Sequence, residues 1–292
     1  MKRIFTLLFA TGCIGQLGCG KYTRNVEPEW EYEDENNVEV QEGCDEADVD
    51  TENGFRISGT VEDLETRLPP ESIEGLCAYA LNPTPVLSGG DPTVMGASQV
   101  CPGGEYVIGG LSDPPSIGMF VSIADCDSGS DGDTASNAGP TVMKSATGVD
   151  FDWVKDLGDG DIYEGKIAYL VTIAYGSRIN DDLSDFDGDA VDVGFMAGFA
   201  LDVDGEPVSG AALACDACAD FYYLDTDHED GMFMTGGIRN TVTDAAADAI
   251  FVAPAAPIFT YEASDGGNHN WDSQLFGSLP GYASFLLFNA TD

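Results

Sequence analysis

From Phe55 onward the apolar residues come in runs of strand length, and Gly, Pro, Asp or Ser cuts off each run. Phe55–Val61 and Leu76–Ala80 alternate in side-chain type, and Gly104–Leu111 and Met119–Ile123 follow. Such alternation has the period of a pleated strand, and the interruptions carry turn chemistry, so the pattern selects an all-β sandwich or barrel. Helical periodicity is nearly absent; Val242–Ala249 is the one segment that suggests it. Ile167–Ile173 reads as a central strand between long Gly- and Asp-rich loops that reach from Ser128 to Asp192. Phe199–Leu213 then opens a second unit, with Asp204-Gly205 between two apolar runs as a hairpin signal.

With 43% hydrophobic residues the 292-residue chain can bury a core, and its length suits about two domains. Ile167–Ala174 and Ala283–Phe288 are strand-length, short of the roughly 20 apolar residues a bilayer-spanning helix needs.

The N-terminus reads as an export signal. Lys2 and Arg3 precede the short apolar core Ile4–Ala10, and small residues lead to Gly12-Cys13 and Gly18-Cys19. A Cys behind Gly at this place resembles a bacterial lipobox, whose Cys is acylated and becomes the mature N-terminus. Lipidation at Cys19 leaves an even set of six cysteines, Cys44, Cys77, Cys101, Cys126, Cys215 and Cys218, which suits complete pairing in an oxidising compartment. Cys13 is the alternative anchor, with the better upstream context but a shorter leader. The expected organisation is a signal peptide over 1–18 and a disordered acidic tether over 19–53. A β-sandwich with a Gly/Asp-rich insertion then covers 54–193, and a second β-sandwich covers 194–292.

Charge narrows the partners. Fifty-two acidic side chains against 11 basic ones give a net charge of −41. That field repels nucleic acid, whose phosphates require clustered Lys and Arg, and it enriches cations. In the tether the acidic residues are so dense that self-repulsion keeps the segment extended.

One segment resembles a known family. Gly198-x-Ala-Leu-x-x-Asp204-Gly205-x-Pro207-Val208-x-Gly210-Ala211 is similar to the opening hairpin of carboxypeptidase regulatory-like domains, and Gly231-Met-Phe233 matches their next common element. Ile57–Val61, Gly75–Tyr79 and Gly104–Leu111 echo the same plan, with Glu62–Glu74 and 128–192 as departures. The resemblance implies two tandem transthyretin-like Greek-key β-sandwich modules. It also implies accessory, structural or binding roles and no catalytic residues.

Candidate chemistry is sparse. His228 and His269 are the only histidines, neither has metal-ligand spacing, and no Gly-x-Ser-x-Gly elbow occurs, so both read as solvated loop residues. Cys215-x-x-Cys218 reads as a structural disulfide in an exported chain, and one pair is expected among Cys77, Cys101 and Cys126, with Cys44 available to the third. Hard oxygen donors suited to Ca²⁺ recur at Asp185, Asp187, Asp189 and Asp192 and at Asp225, Asp227 and Glu229, although neither group completes an EF-hand. No cofactor is required by any of these residues.

The sequence therefore points to a non-enzymatic structural or binding module of the bacterial cell envelope. It would be lipid-anchored in the membrane, at the outer membrane or cell surface, and face an extracellular protein or glycan. A Ca²⁺-dependent adhesin or glycan-binding protein and a carboxylate-based hydrolase are the two alternatives.

Overall fold

The alternating runs fold as strands. The first half of the chain supplies β1 (Phe55–Asp63), β2 (Leu76–Asn82), β3 (Thr93–Gln99), β4 (Glu105–Leu111) and β5 (Met119–Asp125). They are followed by β6 (Val142–Met143), β7 (Ser145–Val149), α1 (Phe151–Val154), β8 (Ile162–Thr172), α2 (Ile173–Asp182) and α3 (Ala190–Val193). The second half supplies β9 (Phe195–Leu201), β10 (Ala212–Ala214), β11 (Tyr222–Tyr223), β12 (Ile250–Pro254), β13 (Phe259–Ser264), β14 (Gln274–Phe276) and β15 (Ala283–Asn289). This computed structural model describes residues 53–66, 68–126, 142–182, 190–206, 208, 211–215, 221–223, 250–254 and 258–291. The expected signal peptide, nearly all of the tether, Cys13, Cys19, Cys44, Cys218 and the Val242–Ala249 segment lie outside those residues.

Three sheets form, and their order explains the core. The largest has eight strands in the order β11-β12-β9-β15-β7-β5-β2-β3; the others are β4-β1-β8-β6 and β10-β13-β14. Successive strand residues face opposite ways, so each strand of the large sheet feeds two cores. Leu76, Ala78 and Ala80 of β2, with Met119, Val121 and Ile123 of β5, pack against Ile57, Tyr106, Ile108 and Leu170 of the four-stranded sheet. Cys77, Tyr79, Leu81 and Phe120 point the other way and meet Leu213, Tyr261 and Phe276 of the three-stranded sheet. Farther along the first face, Phe195, Ala197, Phe199, Ala283 and Phe285 pack on Tyr169 and Val171 of β8 and on Tyr175 and Ile179 of α2. The large sheet is thus the middle of three layers.

This arrangement corrects the expectation of two tandem sandwiches. The expected boundary at 193/194 falls inside the architecture: β2, β3, β5 and β7 from one side share a sheet with β9, β11, β12 and β15 from the other. β15 joins them, pairing parallel with β7 over Ala283–Phe285 and with β9 over Ala283–Asn289. The described residues on both sides of that boundary belong to one compact unit. The physical reason lies in the runs themselves. β2, β5 and β9 are buried at six consecutive positions each, the mark of a sheet covered on both faces rather than half of a two-layer sandwich.

Local signals were met with one deviation. The Asp204-Gly205 turn forms: Asp202 N–H donates to Glu206 C=O (2.8 Å), Val208 N–H donates to Ala200 C=O (2.8 Å), and Gly205 adopts a φ of 82°. The return strand then leaves its partner, because β10 pairs with β13 instead of β9. Ile167–Ile173 lies in β8, between β1 and β6 as a central strand should, but Ile173 already begins α2. There Thr172 Oγ1 accepts the Tyr175 N–H (3.1 Å), a helix-start bond.

Two features lock the strands. Cys77 and Cys126 form a disulfide across β2 and the end of β5, with Cα atoms 4.8 Å apart, realising the expected pair in this region. Cys101 and Cys215 are each engaged in a disulfide as well. Between β1 and β8 the backbones approach so closely at Gly59 that a Cβ there would sit 1.7 Å from the Lys166 carbonyl oxygen. Only glycine permits that approach, and it leaves the same carbonyl accepting the Tyr106 hydroxyl at 2.8 Å.

Candidate binding cleft

Between the large sheet and the three-stranded sheet the packing opens into a cleft of about 700 Å³, a volume typical of ligand sites. Its floor is aromatic. Phe120 and Phe276 meet edge to face with centroids 5.9 Å apart, and Tyr261 backs Phe276 at 6.5 Å. Gly277, just past β14, allows that strand to lie against Ile258, since a Cβ would fall 2.6 Å from Ile258 Cγ1.

The rim is unusual. Among the described residues eight large hydrophobic side chains are exposed, and five of them line this one cleft: Leu87, Ile117, Trp153, Ile258 and Leu275, at 43% to 70% exposure. They come from five separate segments. Single exposed apolar residues are ordinary, whereas a converging set marks a surface that meets something.

Trp153 is held in place by its neighbours. It lies in α1, whose Asp150 cap accepts the Asp152 N–H at 2.7 Å. Its ring stacks on Tyr163 (5.8 Å, 15°), and Lys166 Nζ lies 5.4 Å from its centroid. Lys166 is buried, and burial pushes its amine from 10.5 down to about 8. The cleft lining is mainly aromatic and aliphatic and includes the carboxylates Asp150 and Asp152.

Of the Ca²⁺ candidates only Asp192 is described; it is an exposed residue of α3, and Asp185, Asp187, Asp189, Asp225, Asp227 and Glu229 lie outside the described residues. No group of three or more metal-ligating side chains occurs among the described residues. The similar Asp156–Asp161 segment is used by turns: Asp159 Oδ1 accepts the Gly54 N–H (2.8 Å) and Asp161 Oδ2 the Gly158 N–H (2.9 Å).

His228 also lies outside the described residues. His269 is not merely solvated. Its Nδ1 lies 2.5 Å from Oδ2 of buried Asp265, whose Oδ1 accepts the Asn268 and His269 N–H groups at 3.1 Å each. Burial raises the Asp265 pKa, but the hydrogen bonds from His269 and Trp271 outweigh it and hold the carboxyl down at about 2. No Ser, Thr or Cys side chain among the described residues is hydrogen-bonded to the His269 ring, and the pair ties together the loop after β13. None of the five rim residues stood out in the sequence, because each falls outside the apolar runs that the sequence sets apart.

No family model matches the chain, and no curated protein does. Several solved structures align at low similarity. The TIE protein of Bacillus anthracis is 12% identical, with 82% of this chain and 34% of that one covered and a TM-score of 0.20. This chain thus spans about a third of that protein. The shaft pilin spaA from Lactobacillus rhamnosus GG is 9% identical over 82% and 98% of the two chains, with a TM-score of 0.21. A putative cell adhesion protein from Parabacteroides distasonis ATCC 8503 is 9% identical over 77% and 79%, with a TM-score of 0.23. Scores this low carry no argument about topology or activity. What the described residues present is a layered, disulfide-stapled β protein with an apolar cleft against its middle sheet.

Proposed function

We propose that this chain is a non-enzymatic, lipid-anchored protein of the bacterial cell envelope that presents the cleft as a binding surface. The convergence of Leu87, Ile117, Trp153, Ile258 and Leu275 on one cleft carries the reading. Leaving such a patch in water forgoes about 25 cal/mol for each Å² of apolar area, which a bound partner recovers. The export-type leader, the acidic segment of 19–53 and the disulfides support placement in an oxidising compartment, held off the membrane.

Two measurements test the two halves of the proposal. Metabolic labelling with a fatty-acid analogue is expected to tag the mature protein and to fail after Cys19→Ser; loss of label only with Cys13→Ser moves the anchor, and no label in any background overturns it. The neutral apolar dye Nile red is expected to bind the full chain, with affinity falling about tenfold or more in Leu87→Asp/Leu275→Asp while the melting temperature holds. Equal dye binding by the double variant overturns the cleft as the binding surface.

A further inference from the structure

The cleft is also a gap in a sheet. The β7–β15 ladder stops at Thr147↔Phe285, whereas β15 continues beside β9 as far as Leu201↔Asn289. Beyond Phe285, then, β15 has a partner on one edge only. An isolated bridge between Trp271 and Ala290 closes the far end of the opening.

The direction of the exposed backbone groups follows from two hydrogen bonds. Ala283 N–H donates to Lys144 C=O, toward β7, and Ala290 N–H donates to Leu201 C=O, toward β9, each at 2.8 Å. The register between these residues is unbroken, and amide direction alternates along a strand. Leu287 therefore turns its N–H and C=O toward the vacant β7 side, and Asn289 turns its N–H the same way. None of these three groups has a hydrogen-bond partner among the described residues. Leu287 and Asn289 both line the cleft. On the opposite wall consecutive residues Leu275 and Phe276 of β14 line it too. Because neighbouring strand residues face opposite ways, the cleft wraps the edge of that strand, which pairs only with β13.

We infer that the occupant of the cleft is an extended peptide segment of another protein, added as a short strand beside Leu287–Asn289. This deepens the binding-surface reading and rests on it. Backbone donors and acceptors aimed into an apolar cleft match a polypeptide better than an acyl chain, which has nothing to pair with them. Alternate apolar side chains of the segment would fall among Leu87, Ile117, Trp153 and Leu275. Charge sets its flank. Asp150 and Asp152, the latter paired with Lys155, line the cleft on a chain of net charge −41, which repels a second copy of itself and attracts a segment with basic residues.

Calorimetry and amide hydrogen exchange on the full chain test this, with a blocked peptide of alternating Leu and Thr carrying a pair of lysines. Binding is expected, with exchange at Leu287 and Asn289 slowed about tenfold or more. Methylating the peptide's backbone nitrogens along one edge is expected to weaken binding about tenfold, and methylation along the other edge to leave it unchanged. Replacing the lysines by glutamates is expected to weaken it by a similar factor at low salt. Equal binding by both methylated peptides overturns strand addition, and indifference to the charge swap overturns the basic flank. Nile red binding without any peptide binding overturns this inference and leaves the binding surface standing. Failure of both ligands overturns both.

Discussion

The two faces of the eight-stranded sheet are covered in opposite ways. On one face the four-stranded sheet and α2 seal the whole width, from Ile57 and Ile108 at one end to Tyr169 and Phe199 at the other. On the other face, among the described residues, the three-stranded sheet covers only part, and the cleft lies beside it. Both faces are apolar, so hydrophobic content does not tell them apart. What differs is whether a second layer is long enough to meet it. The sealed face specifies the fold, and the open one is free to serve recognition.

Truncation should separate the faces most sharply. Phe199→Ala on the sealed face, where the side chain is fully buried against Tyr169 (centroids 4.7 Å apart), is expected to cost about 3–5 kcal/mol in urea unfolding. Leu275→Ala on the open face, 70% exposed, is expected to stay within about 0.5 kcal/mol. Equal losses would erase the distinction between scaffold and surface.

Next in size is the bond that pins the middle layer itself. Cys77 and Cys126 are 49 residues apart, and the loop-entropy model assigns such a link about 4 kcal/mol. Cys77→Ser/Cys126→Ser is expected to lose roughly that much, read by denaturant melts under oxidising conditions. A loss under about 1 kcal/mol would mean that the strand ladders alone hold β2 to β5.

The sealed side carries a cost as well. Burial lowers Lys166 from 10.5 to about 8, so between those pH values the unfolded chain binds the extra proton and the folded chain does not. Stability should therefore rise with pH across that window, by about 3 kcal/mol, before the tyrosines intervene. Lys166→Met is expected to flatten the slope and raise stability at pH 7. A slope unchanged in the variant would place its origin elsewhere.

The smallest effect belongs to the partial cover, where Asp265 braces the loop after β13. Its folded pKa, about 2, lies below the unfolded value of 3.8. The stabilisation is present above pH 4 and lost as pH falls through 2, by roughly the 1.5–3 kcal/mol of a hydrogen bond to a charged group. Asp265→Asn should remove that acid limb. An identical acid limb in the variant would assign it to other carboxylates.

Strands were legible wherever the pattern was local. β1, β2, β4 and β5 begin within a residue of where alternation begins, because turn residues punctuate them. β7 hides in a Gly- and Asp-rich stretch, since five residues carry too few periods to stand out. α2 escaped because only Tyr175 and Ile179 of its apolar stripe are firmly buried, and Arg178 and the residues from Asn180 onward dilute the rest. The layering could not be read from runs alone: an apolar run in the sequence does not say which second layer covers each of its faces. The cleft was illegible for a different reason. Its five rim residues lie between positions 87 and 275, and only tertiary packing, such as Phe276 on Phe120, brings their segments together.

β15 has one more consequence, and it concerns time. It is the last strand in sequence order, yet it lies between β9 and β7, so the two halves of the middle layer have no ladder in common until residues 283–289 arrive. Those residues follow every other described strand in the sequence. Until then each half must wait with an unzipped edge, and no early segment can complete the sheet unaided. Closure of this kind is dominated by contacts far apart in sequence and is intrinsically slow. The middle of the sheet is then its final seam: two half-sheets form on their own ladders, and β15 joins them at the centre.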